Sequence, residues 1–142
     1  MKNVYIVDTR EQKPFDLQPQ KRQCLIVGDY TTTKLLGRFH IERKSLVDLY
    51  GSITKGHLRF KKEIIRAKHH SIHLIVLVEG SRKNFGLKKF YGGSQRKMSG
   101  ETLLKIIDSI TLNHGTQFHW HASRNACQKN LIKFLGKIPK GK

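Results

Sequence analysis

Gly28-Asp29-Tyr30, and then Ile41-Glu42-Arg43-Lys44-Ser45 with Asp48 behind it, is the stretch that decides how this chain is read. On a strand, residues i and i+2 share a face. Glu42 and Lys44 therefore project together while Arg43 points the other way. The connection over 33–37 is short enough for a hairpin, which would set Asp29 beside Glu42 on neighbouring strands. Two carboxylates at one point offer oxygen ligands to a hard divalent cation. A lysine on the same face reaches an attacking water or a scissile phosphate. The competing reading is a surface ion-pair cluster of Glu42 with Lys44 or Arg43.

The charge balance bears on that choice. The chain has 142 residues, with 28 Lys and Arg against 10 Asp and Glu, a formal charge of +18. An excess of that size predicts a polyanionic partner, nucleic acid before others. The acids are few, and Asp8, Glu11, Asp29, Glu42 and Asp48 make up half of them. A surface that only bound nucleic acid would gain by losing them. Their retention beside Lys44 suggests that they hold a cation.

Further short motifs fall in order around the first. Val7-Asp8-Thr9-Arg10-Glu11 precedes the Gly28-Asp29 pair, and Ser52-Ile53 leads to Gly56. The ordered set resembles the nuclease domain of XPF-type structure-specific endonucleases, within the PD-(D/E)XK group. The signature is Gly-Asp, a variable gap, Glu-Arg-Lys, three residues and Asp. The recognisable motifs span roughly residues 4–66, and the rest agrees only in pattern.

The resemblance implies an α/β, restriction-endonuclease-like mixed β-sheet flanked by α-helices. It implies Mg2+ or Mn2+ held by Asp29, Glu42 and the main-chain carbonyl of Arg43, with Lys44 acting on the water. Asp8 and Glu11 match the family's earlier acidic pair, for a second cation or for water around the first. Arg10 matches a phosphate-facing or site-ordering arginine. Asp48 completes the signature and could hold Arg43 or Lys44 in place. A strand-end cap is the plainer role for Asp8. Where the family commonly has arginine after the loop glycine, this chain has His57, and Arg59 could supply the charge.

Along the chain, 3–8 reads as a buried strand and 11–20, with Pro14 and Pro19, as a loop. Strands are expected over 23–31 and 38–43, and a short helix over 46–50 capped by Ser45. Gly51 to Gly56 reads as a loop. A helix over 57–69 puts Phe60, Ile64 and Ala67 on one stripe. Residues 73–79 are the clearest central strand. Residues 80–100 read as a mobile basic loop, in which Lys83, Lys88, Lys89, Arg96 and Lys97 interleave with Phe85, Phe90 and Tyr91. Such a loop either grips phosphates and unpaired bases or tucks its aromatics into the core. Helices follow over 100–113 and 123–136, with a strand over 116–121 between them. The reading is one domain over 1–136 and a frayed basic tail over 137–142.

Cys24 and Cys127 have no metal-ligand spacing, and Cys24, before an apolar run, reads as a buried thiol. His119 and His121 share a strand face without an acidic or cysteine neighbour in sequence. No segment reads as a signal peptide or a membrane span, so an intracellular, DNA-associated protein is expected. The function expected is metal-dependent endonuclease activity on branched or junction DNA. The rivals are a catalytically silent DNA-binding subunit and an RNA-binding protein. XPF-type nuclease domains pair through their C-terminal helices. A homodimer or heterodimer with a related chain is therefore expected, through Leu103, Ile107 and Ile110 or Leu131, Phe134 and Leu135. Neither a helicase domain nor the helix-hairpin-helix module that the family often carries is read in this sequence.

Overall fold

The computed structural model of the chain describes residues 2–87, 89–91 and 97–139, those at 89–91 and 97–98 by their backbone. The strands are β1 (Tyr5–Val7), β2 (Gln20–Arg22), β3 (Tyr30–Thr32), β4 (Phe39–Ser45), β5 (His73–Glu79), β6 (Lys89–Tyr91), β7 (Lys97–Ser99) and β8 (Gln117–Trp120). The helices are α1 (Leu46–Ile53), α2 (His57–His69), α3 (Arg82–Leu87), α4 (Gly100–His114) and α5 (Arg124–Leu135). Six strands form one sheet in the order β2-β1-β3-β4-β5-β8, and β6 pairs with β7 apart from it. The sheet is mixed: β1–β3 and β3–β4 run antiparallel, while β4–β5 and β5–β8 run parallel.

Helices cover both faces. Phe60 and Ile64 of α2 pack with Val76 and Val78 of β5, together with Leu103 and Ile107 of α4. On the other face Ile41, Ile75 and Leu77 meet Cys127, Leu131 and Leu135 of α5. Buried from both sides, β5 carries the unbroken apolar run Leu74–Val78 that parallel central strands require. Ser45, Ser99 and Ser123 cap the N-termini of α1, α4 and α5 through their hydroxyls.

Several expectations change. Residues 23–29 are not strand: β2 ends at Arg22 and β3 begins at Tyr30. Leu25 and Val27 are still buried, but as loop anchors. Cys24 is consequently exposed, whereas Cys127 is buried. Helix α1 runs to Ile53, beyond the expected 50.

Residues 80–100 are not one long loop. They hold α3 and the antiparallel β6–β7 pair, fastened by a two-pronged Arg82–Asp108 ion pair at 2.8 and 2.9 Å. Phe85 is fully buried, its ring centre 5.6 Å from that of Trp120, so it belongs to the core. The C-terminal segment docks rather than frays at Ile138, which is buried and whose N–H donates to the Tyr5 hydroxyl at 3.1 Å. Leu103, Ile107, Leu131 and Leu135 are core residues; Ile110 and Phe134 are half-buried. No helix among the described residues is long and apolar enough to cross a membrane.

Candidate active site

The site begins at a turn that strongly favours glycine. Gly28 has φ +78°, and a Cβ there would stand 3.1 Å from His40 Cβ and 3.2 Å from the Ile41 carbonyl oxygen. Left-handed backbone and tight space both disfavour any other residue here. Asp29 then enters the sheet with its N–H donating to Ile41 O and its carbonyl accepting from Asp8 N–H, each at 2.8 Å. Its Oδ2 accepts the main-chain N–H of Arg43 at 2.8 Å. A carboxylate thus completes the β3–β4 ladder beyond the Tyr30–Ile41 pair.

Glu42 and Lys44 face α2, as alternation along β4 requires. Lys44 Nζ lies 3.2 Å from Glu42 Oε2 and 5.2 Å from the centre of the Phe60 ring. The Asp29 and Glu63 carboxylates stand close enough to Glu42 for its charge to act on both. Burial, and after it the Glu42 charge, pushes Asp29 well above the usual carboxylate range. The same two causes raise Glu63 to about 7. Burial pulls Lys44 downward, but Glu42, Glu63 and Asp29 outweigh it and hold the ammonium charged. These carboxylates form the floor of a cleft of about 850 Å³, with Arg10, Lys13, Lys55 and Arg59 among the residues along it.

The opposite face of β4 is neutralised. Arg43 gives Nε and Nη2 to the two oxygens of Glu11 at 2.8 and 2.7 Å, and Nη1 to Glu79 at 2.8 Å. Arg124 closes the network on Glu79 at 2.7 Å and on the Lys13 carbonyl at 2.7 Å. Burial would raise the Glu11 carboxyl, yet the Arg43 hydrogen bonds hold it below its ordinary value.

Asp8 is likewise occupied. Its Oδ1 accepts from Leu25 N–H at 2.7 Å and its Oδ2 from Arg10 Nε at 2.9 Å. Asp8 and Glu11 thus each accept from an arginine in this structure. Asp48 lies exposed in the first turn of α1. It does not hold Arg43, whose side-chain bonds go to Glu11 and Glu79. Arg10 is held by Asp8 at the cleft wall, with its side chain 66% exposed.

Asp29, Glu42 and Lys44 are thus brought together as the sequence implied, and Arg59 stands beside them at the cleft. Lys83 is exposed on α3, away from the cleft-lining set. Lys88 and Arg96 lie outside the described residues, and Lys89 and Lys97 are placed on β6 and β7 by backbone alone. His121 spends its ring on the Val78 carbonyl and Asn130, at 2.9 and 2.8 Å.

The residue that sequence reasoning missed is Glu63. Its signal was present: α2 contains one acid, and it falls between Phe60 and Ala67 on the helix's buried stripe.

The donor set suits a hard divalent cation. Buried carboxylates crowd one point and raise one another's affinity for a proton, a crowding that a cation would relieve.

Residues 7–134 match the ERCC4 domain. Among solved structures, XPF from Aeropyrum pernix is similar at 19% identity and TM-score 0.66, with 98% of this chain and 62% of that chain covered. XPF from Aeropyrum pernix in complex with DNA is similar at 19% identity and TM-score 0.61, covering 94% of this chain and 63% of that one. The likeness shows the shared fold, a mixed sheet flanked by helices. The chain spans 62% and 63% of the length of these two relatives. No curated protein sequence matches it.

Proposed function

We propose that this chain, which belongs to the ERCC4 domain family, is a metal-dependent endonuclease cutting DNA near branches or single-strand/double-strand junctions. The observation that carries this reading is the convergence of Asp29, Glu42 and Lys44 at the floor of a basic-rimmed cleft. Asp29, Glu42 and the Arg43 carbonyl would hold Mg2+ or Mn2+. When bound, the ion supplies charge that stabilises the phosphate and acidifies water. Lys44 keeps a buried positive charge toward the reacting phosphate. Arg43 fixes the β4 backbone from behind, with Glu11 as its anchor, and Asp8 does the same for Arg10. Lys13, Lys55 and Arg59 hold backbone phosphates across the cleft.

A silent DNA-binding subunit would have no use for an intact Asp29, Glu42 and Lys44. The reading places the protein inside cells and on DNA. It includes pairing with a second copy or a related chain. Support for that pairing is Leu112, an apolar side chain left 85% exposed on α4. Asp29→Ala and Glu42→Ala should each abolish cutting of flap, fork, bubble and Holliday-junction substrates in Mg2+ while leaving DNA binding intact. A Glu42→Ala protein cutting at the native rate would refute the assignment.

A further inference from the structure

We infer that Glu63 is a third carboxylate of the cation site, contributed from α2 and setting the charge that a bound divalent ion meets. The inference rests on the cation reading above. Glu63 reaches the cleft from the buried stripe of α2, and its Oε1 accepts the Gly28 N–H at 3.2 Å. Its carboxylate lies close enough to Glu42 for the two charges to act on each other, and its charge acts on Lys44.

Holding an N–H needs only a neutral acceptor, which glutamine would provide without facing a second buried carboxylate. The charge therefore calls for another reason. When all are ionised, Asp29, Glu42 and Glu63 against Lys44 leave a net charge of minus two (three negative, one positive), matching one divalent cation. Among the described residues, no three His, Cys, Asp or Glu stand as a ready-made chelating group. Glu63 accordingly acts behind Asp29 and Glu42 as an outer carboxylate that orients them and strengthens the field. Partners of that kind cost about 10- to 100-fold in metal affinity when removed.

The test is calorimetric titration of Mn2+ into the full chain without DNA, paired with thermal melts in chelator. Glu63→Gln keeps an oxygen for Gly28 and removes the charge. It should bind Mn2+ about tenfold more weakly or worse and melt higher than the native protein in chelator. Glu63→Asp, which keeps the charge, should bind within a few-fold of native. Native Mn2+ affinity in Glu63→Gln, or equal loss in both variants, would overturn the inference. If native protein binds Mn2+ and Asp29→Asn weakens it while Glu63→Gln does not, only the Glu63 role falls. If native protein takes up no Mn2+, the cation reading falls with it.

Discussion

On one face of β4, Arg43 meets Glu11 and Glu79, and Arg124 adds a second guanidinium to Glu79. On the other face a single lysine stands among three carboxylates, Asp29, Glu42 and Glu63. Neighbouring residues of one strand thus serve opposite ends. The arginine face is paired and hydrogen-bonded, as buried charge must be if it is to hold a fold together. The lysine face carries surplus negative charge, which the fold tolerates because protons, or in our reading a cation, take it up. Stability and chemistry are separated by the alternation of a strand.

The largest effect expected from breaking this contrast is on catalysis. Glu42→Gln should slow single-turnover cutting by at least about 10²- to 10³-fold, the scale of losing one preorganised charge at a transition state. It should not lower the melting temperature in chelator. Arg43→Met should do the reverse in kind: it strands Glu11, whose side chain is 6% exposed, without its partner. Denaturant unfolding should register about 3–5 kcal/mol of lost stability. Equal destabilisation by the two variants would erase the distinction between the faces.

The two faces should also titrate in opposite directions. Glu63 is raised from 4.5 to about 7, so without metal its contribution to stability is fully present below pH 4.5 and fades as pH rises through about 7. Asp8 and Glu11 are held below their ordinary values, so they stabilise at neutral pH and lose that contribution as pH falls through their lowered range. Melting temperature against pH in chelator should therefore fall on both sides of a mildly acidic maximum. Mg2+ should lift the alkaline limb, and a limb unmoved by Mg2+ would argue against a cation among these acids. The smallest effect expected is on binding: neutralising Lys55 and Arg59 together should reduce the salt slope of DNA affinity by about 2, roughly one per lost phosphate contact.

Much of this architecture was legible in the residues. Strand 73–79 and helix 57–69 were read to the residue, because an unbroken apolar run and a clean 3.6-residue stripe have few competing solutions. Asp29, Glu42 and Lys44 were found because they lie within one hairpin and a strand's alternation. The run over 23–31 misled because consecutive Leu25, Ile26 and Val27 fit a strand, whereas the chain uses Leu25 and Val27 to anchor a loop leading to the Gly28 turn. Residues 80–100 misled because glycine and charge suggested a loop, while Arg82–Asp108 and the burial of Phe85 depend on α4 and β8 being in place. Glu63 escaped for the same reason: it reaches Gly28 across 35 residues of chain, and only packing of α2 on the sheet brings them together.

The central claim is that the acid-rich face of β4 drives phosphodiester cutting through a divalent cation. Single-turnover cleavage of junction DNA, with the same chelator-treated protein given Mg2+ or none, tests it most directly when DNA binding is measured alongside. The account predicts cutting only with Mg2+ and binding in both. Equal cutting in chelator, or bound junction DNA that stays intact on every substrate with Mg2+, would contradict it.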